Sequence, residues 1–376
     1  TTIAYLDTLN DRFPYSDQNA IGELLRPRVE MAAGNYPKAF DLFRALSTME
    51  SDPDSSFEYE RLSIVCKYRL NELENARLMA KALYKKFAER TDLESIKAQF
   101  YLEKGRSLQN SGSSIEARKN FKIVADKYSL SEWMDDAQFE VAMSYLKERN
   151  WKEGTEHLTA FIENYPESDY VPLGVLTLGI TRLNEENYPE ALKFLRSAWS
   201  DTTSELIRLR AFNYLITAYR DLHFWDAAIK VSREYLENYP EAEDAFIRRM
   251  DIGQFYIQIG EYKEAIRHYR PMLEYADAEN EAEIQFYIGE SFQKSGDYQT
   301  AILEYMKVRI LGRKTKLDWG ITALYQSGNC YELLGNPKGA ANVYQRIIKD
   351  TGATSNYGRT AQKRLDGLNL SDYDNK

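Results

Sequence analysis

Apolar residues recur at three- and four-residue spacing through most of this chain, as in "IRRMDIGQFYIQIG" followed by "EYKEAIRHYRPMLEYA" over residues 247–276. That is the period of a helix with one apolar face. No stretch alternates apolar and polar residues as a half-buried strand would, so the pattern predicts an all-α protein of short helices and turns.

The helices fall into a register. A turn residue, an aromatic, two further residues and then a small residue recur with the small residue at Ala39, Ala76, Ala117, Gly154, Ala191, Ala228, Ala265, Ala301 and Ala340, at spacings of 37, 41, 37, 37, 37, 37, 36 and 39. A period between about 20 and 50 residues is the signature of a repeat architecture. Each repeat reads as helix, turn, helix, with the small residue, here called the rung, opening the second helix.

The register separates two identical strings. "ENYPEA" occurs at 186–191 and at 237–242. In the first, Ala191 is the rung, Asn187 is placed to cap the second helix and Pro189 falls in its first turn, where a missing N–H costs nothing. In the second, Pro240 lies twelve residues past the rung Ala228 and ends a second helix. Pro27 and Pro271 fall inside predicted helices, where they are expected to produce kinks.

Within the repeats, "IGQFYIQIGEYKEAIRHY" carries Gly253, Tyr256, Gly260, Tyr262, Ala265 and Tyr269; "IGESFQKSGDYQTAILEY" carries Gly289, Phe292, Gly296, Tyr298, Ala301 and Tyr305; "SGNCYELLGNPKGAANVY" carries Gly328, Tyr331, Gly335, Ala340 and Tyr344. This set resembles the tetratricopeptide repeat, with repeats one, two and five the weaker matches. The resemblance implies a right-handed superhelical solenoid of about nine helix-turn-helix repeats over residues 20–354. Residues 1–19 read as a partial N-terminal repeat, 355–370 ("SNYGRTAQKRLDGL" within them) as a polar capping helix that ends the array, and 371–376 as a polar tail. The longer link after the closing proline, as in "NYPESDYVP" and "RFPYSDQNA", is similar to that of bacterial cell-envelope tetratricopeptide proteins, namely the BamD-like outer-membrane assembly lipoproteins and the Tol-Pal-associated coordinator.

Stacked repeats present a concave surface lined by their first helices. Counting back from the rungs gives Phe139 and Met143, Leu176 and Ile180, Tyr214 and Thr217, Met250 and Gln254, and Phe286, Tyr287 and Glu290 as the expected partner-binding positions. An apolar and aromatic groove of this kind would accept an extended or helical segment of a partner protein. The alternative use of the same side chains is packing between helices. The second-helix residues Phe161, Ile162, Leu195, Tyr235, Leu236, Leu273 and Ile347 read as core. A Lys and Asn four residues apart on a first helix, which clamp chaperone tails in similar domains, have no counterpart in pairs such as Arg61 and Val65 or Phe139 and Met143.

Composition narrows the partners. The 376 residues carry 49 Lys and Arg against 58 Asp and Glu, a formal charge of −9, which disfavours nucleic acid and anionic membrane surfaces. No apolar run approaches the roughly 18 residues of a membrane span, so no direct insertion is expected. One basic run, "RILGRKTK" with Arg309, Arg313, Lys314 and Lys316, is a candidate docking point for an acidic partner segment.

No catalytic residue, metal site or cofactor is expected. His157 and His268 occupy one repeat position three repeats apart, His223 sits at a turn, and phosphate-loop, HExxH and nucleophile-elbow motifs are absent. The pair Asp135 and Asp136 suits a helix start. Cys66 and Cys330, seven repeats apart, read as small packing residues. Thr1 opens directly on an amphipathic helix, so further sequence is expected upstream. The expected function is a noncatalytic interaction scaffold in the bacterial periplasm or cell envelope, the alternative being a cytoplasmic adaptor of the same fold. Self-association and the partner's identity are left open.

Overall fold

The protein is all-helical, its helices paired in successive tetratricopeptide-like hairpins. The computed structural model describes residues 2–310 and 318–368, and no strand occurs among them. The chain divides into two compact parts, residues 1–211 and 212–376. The first contains α1 (Thr2–Arg12), α2 (Asp17–Ala32), α3 (Tyr36–Met49), α4 (Pro53–Arg69), α5 (Leu73–Lys86), α6 (Leu93–Asn110), α7 (Ser114–Lys127), α8 (Met134–Lys147), α9 (Trp151–Asn164), α10 (Val171–Asn184), α11 (Tyr188–Ser200) and the start of α12 (Glu205–Asp221). The second contains the rest of α12, then α13 (Trp225–Asn238), α14 (Ala245–Ile259), α15 (Tyr262–Tyr269), α16 (Ala278–Lys294), α17 (Tyr298–Ile310), α18 (Trp319–Leu333), α19 (Pro337–Thr351) and α20 (Asn356–Asp366).

The period has a simple origin. α8 and α9 are 14 residues each, the turn at 148–150 adds three and the link at 165–170 adds six, which together make 37. The one interval of 41 arises because α6 has 18 residues, one helical turn more than α8.

Every rung is the fourth residue of a second helix, and all nine are buried. Twelve residues before the rung and four after it, the two helices of a hairpin meet. A Cβ on Gly253 would lie 2.1 Å from the Tyr269 ring, one on Gly289 2.7 Å from Tyr305, and one on Gly328 2.6 Å from Tyr344. The same register pairs Gly105 with Phe121 and Gly179 with Leu195. Where the first position is larger the second is smaller: Ile64 with Ala80, Ala142 with Leu158, Ile216 with Ser232, all buried. A close-packed interior enforces this reciprocity.

The turn between the two helices of each repeat is equally regular. Five residues before every rung the backbone is left-handed, at Gly34, Gly112, Gly260, Gly296 and Gly335, and at the non-glycines Asn71, Arg149, Glu186 and His223 with φ of 58–60°. His223 is thus the left-handed residue of its turn.

The two copies of "ENYPEA" behave as the register requires. The first enters α11 with Pro189 in its first turn, and the second leaves α13. Asn187 makes no side-chain cap; its amide donates instead to Glu190, at 3.2 Å. Pro27 lies within an uninterrupted α2, whereas Pro271 ends the α-helical geometry of α15 rather than kinking it. The helix stops at Tyr269 and a 3-10 helix runs over Arg270–Glu274, because proline offers no N–H to the fourth carbonyl before it. Of the expected second-helix core, Phe161, Leu195, Tyr235 and Ile347 are fully buried, and Ile162, Leu236 and Leu273 are half-buried. Cys66 and Cys330 are free and buried; loss of solvation pushes their thiols up to about 12 and about 11.

Candidate protein-interaction surface

The expected binding positions separate into columns. Fifteen residues before the rung stand Phe139, Leu176, Met250 and Phe286, and all are buried. Phe139 is held between Phe161 and Tyr170 at ring distances of 5.5 and 4.7 Å, and Phe286 lies against Tyr305 and Trp319 at 5.4 and 5.2 Å. Those four side chains are consumed by packing. Eleven residues before the rung stand Met143, Ile180, Gln254 and Glu290, all half-buried, and Thr217, exposed. Tyr214 and Tyr287, fourteen before, are also half-buried. Glu290 pairs with Lys294 at 3.1 Å. The helical period explains the split, since a displacement of four residues, from fifteen to eleven, turns a side chain by about 40° away from the core.

In the first part of the chain the same first-helix face is strongly polar, which the apolar expectation missed. In repeat three the residue eleven before the rung is Arg106. Its guanidinium reaches from α6 to α8, with Nε donating to Glu140 at 2.7 Å and Nη2 donating to Asp136 at 2.6 Å and to the Tyr170 hydroxyl at 3.1 Å. Glu103 accepts from Arg106 at 3.2 Å and also pairs with Arg69 of α4. Burial alone would weaken the charge on Arg106, but Glu103 and Glu140 hold its pKa above the ordinary value. One repeat earlier, Arg61 donates two hydrogen bonds to Glu58, both at 2.8 Å, and a third to Gln99 on α6. Burial would raise the Glu58 carboxyl, but Arg61 outweighs it and the pKa falls.

The ties of Arg61 to Gln99, of Arg69 to Glu103 and of Arg106 to Asp136 and Glu140 run between first helices of successive repeats. Arg69 and Glu103 are 34 residues apart, as are Arg106 and Glu140, and that spacing of opposite charges was available in the sequence. The acidic pair at the start of α8 has the same use: Asp136 takes Arg106, and Asp135 accepts from the Ser168 hydroxyl at 2.6 Å. Three cavities lie along this face. One of about 300 Å³ is lined by Arg69, Arg106, Gln109, Glu140, Lys147 and Tyr170; others of about 530 and 550 Å³ share Glu58, Arg61 and Leu62. Met143 shares the α8 face of Asp136, Glu140 and Lys147 and, half-buried, packs inward against the apolar cluster of Phe139, Ala142 and Leu158.

The second part has a related polar centre on α14. Arg248 pairs with Asp244 at 2.9 Å and Asp251 at 3.2 Å and stacks over Phe212 at 5.1 Å. Burial raises the Asp251 carboxyl despite Arg248. Of the basic run, Arg313, Lys314 and Lys316 lie outside the described residues, as does the side chain of Arg309 in the last turn of α17.

No group of three or more potential metal ligands gathers among the described residues. His157 stacks on Tyr145 at 5.1 Å and His268 donates from Nε2 to the Arg249 carbonyl at 2.7 Å; burial lowers the pKa of both. Both are packing residues of second helices. No helix among the described residues is long and apolar enough to cross a membrane.

Comparison with known proteins agrees with this architecture. The family described as outer membrane lipoprotein, YfiO, matches residues 93–305, and a tetratricopeptide repeat family matches residues 322–350. No curated protein matches the chain. Similar solved structures include a tetratricopeptide repeat protein from Parabacteroides merdae, at 12% identity and a TM-score of 0.38, covering 72% of this chain and 98% of that one. MamA from Desulfovibrio magneticus is 16% identical with a TM-score of 0.37 over 50% of this chain and 99% of its own. The TPR2AB domain of yeast Sti1, solved in a complex with pHSP90, is 14% identical with a TM-score of 0.34 over 72% and 96%.

Proposed function

The chain belongs to the YfiO outer membrane lipoprotein family, whose match covers more than half of it, and from that premise we propose that it is a noncatalytic scaffold of the bacterial cell envelope that holds segments of partner proteins on its first-helix face. The observation that carries the reading is the composition of that face. Mutually paired charges of α6 and α8 share that face with half-buried apolar side chains such as Met143, an arrangement that offers both orientation and anchoring to a peptide. Because Arg106 and Arg61 are already paired, the polar groups act as rigid donors and acceptors rather than as a net charge. The repeat division at residues 20–354, with flanking segments 1–19, 355–370 and 371–376, is proposed on the same footing.

Site-specific photocrosslinking in cells of the source tests the proposal. A photoreactive residue in place of Met143 or Ile180 is expected to give adducts with envelope proteins, whereas the same group at the exposed second-helix positions Ile115 and Leu303, 63% and 65% exposed, gives none. Adducts only at Ile115 and Leu303 would move the binding face to the second helices. Adducts with cytoplasmic proteins alone would place the scaffold in the cytoplasm instead.

A further inference from the structure

A further pocket lies away from the first-helix face. α6 carries Gln99, Glu103 and Arg106 on one side; at 100° per residue, Lys97, Tyr101 and Lys104 project from the opposite side. There, between α5 and α6, is a cavity of about 370 Å³. Its wall is aromatic: Tyr68 and Tyr84 stand 5.8 and 6.0 Å from the Phe100 ring, and Tyr101 stands 5.9 Å from Tyr128. None of the four tyrosine hydroxyls has a hydrogen-bond partner among the described residues, yet none is sealed from solvent. Burial pushes the Tyr68 phenol up to about 12 and raises Tyr84 and Tyr128, so all three remain donors at neutral pH.

The rim is cationic in a chain that is acidic overall. Arg77 is neutralised by Glu74 at 2.9 Å and Lys97 by Glu94 at 2.5 Å. Lys81 on α5 and Lys104 on α6 have no ion-pair partner among the described residues and leave the pocket with an excess of positive charge on both walls. An aromatic enclosure takes a ring through edge and offset contacts, and free phenol hydroxyls donate to acceptor oxygens. Cations on both walls are matched by carboxylates on both sides of the inserted ring, which an acidic peptide chain provides.

We propose that this pocket binds an acidic peptide segment of a partner protein, seating one aromatic side chain among the tyrosines with flanking carboxylates toward Lys81 and Lys104. The site is independent of the first-helix face. Fluorescence anisotropy on the full chain at low salt tests it with a labelled, end-capped peptide holding phenylalanine between two pairs of aspartates. Saturable binding is expected, with at least about tenfold weaker binding for the alanine-centred peptide and for the peptide flanked by lysines. The surface variant Lys81→Glu with Lys104→Glu should weaken it by at least about tenfold through like-charge repulsion, with unchanged circular dichroism. Tyr101→Leu, which keeps apolar volume, should weaken it as well, and Met143→Asp with Ile180→Asp should leave it unchanged. Absence of saturable binding, equal binding of the three peptides, or a loss confined to the Met143 and Ile180 variant would each overturn the proposal.

Discussion

Glu186 occupies a left-handed backbone position, φ 59°, that five of the nine repeats fill with glycine. A side chain there costs about 1–2 kcal/mol, offset in part by the unfolded-state entropy that glycine would add. Its carboxylate is exposed, so Glu186→Gly is expected to raise stability by roughly 0.5–1 kcal/mol, read from the midpoint of urea unfolding. Gly296→Val should lower it by about 1–2 kcal/mol although open space surrounds that position, since the strain is in the backbone. At His268 the strain is electrostatic. Burial depresses its pKa, and the nearby Arg233 and Arg249 act in the same direction, while the Arg249 carbonyl accepts from Nε2 and partly opposes them. The folded state therefore binds this proton later than the unfolded chain does. Stability should be full above about pH 6.5 and fall as pH drops from there through the depressed folded value. In His268→Gln the decline between pH 7 and 5 should be shallower; an unchanged slope would show that His268 does not contribute.

At the scale of the helix pair, stability rests on the reciprocal sizes of the two facing positions. Gly289→Ala forces a methyl into the Tyr305 ring, which would lie 2.7 Å away, and is expected to cost about 1–3 kcal/mol. Tyr305→Ala leaves a cavity and should cost about 3–5 kcal/mol. The combination Gly289→Ile with Tyr305→Ala reproduces the Ile64 and Ala80 arrangement of repeat two, both buried. It should therefore be more stable than the sum of its single changes, by a coupling a double-mutant cycle measures; strict additivity would disprove the size exchange. The tertiary setting also decides what the prolines do. Pro271 sits where α15 can end into a 3-10 turn, and Pro27 sits where α2 runs on.

For the whole molecule, period and rung positions were legible because they are local and repeated. The sequence by itself determined the all-helical class, the 37-residue register, the turn sites and the family, since hairpin packing needs a small residue and an aromatic at fixed offsets. It also supplied the acidic balance that turns attention to protein partners. Only the tertiary structure decided which of two neighbouring first-helix columns is used up. Phe139 and Leu176 are buried while Met143 and Ile180 keep a surface, a difference of one helical turn with a 40° rotation that depends on how the next repeat stacks. The Arg61 to Gln99 hydrogen bond, the ion pairs of Arg69 with Glu103 and of Arg106 with Glu140, and the tyrosine pocket behind them likewise exist only once helices far apart in sequence are brought together. Composition fixes which charges a chain carries, but stacking geometry fixes which of them meet.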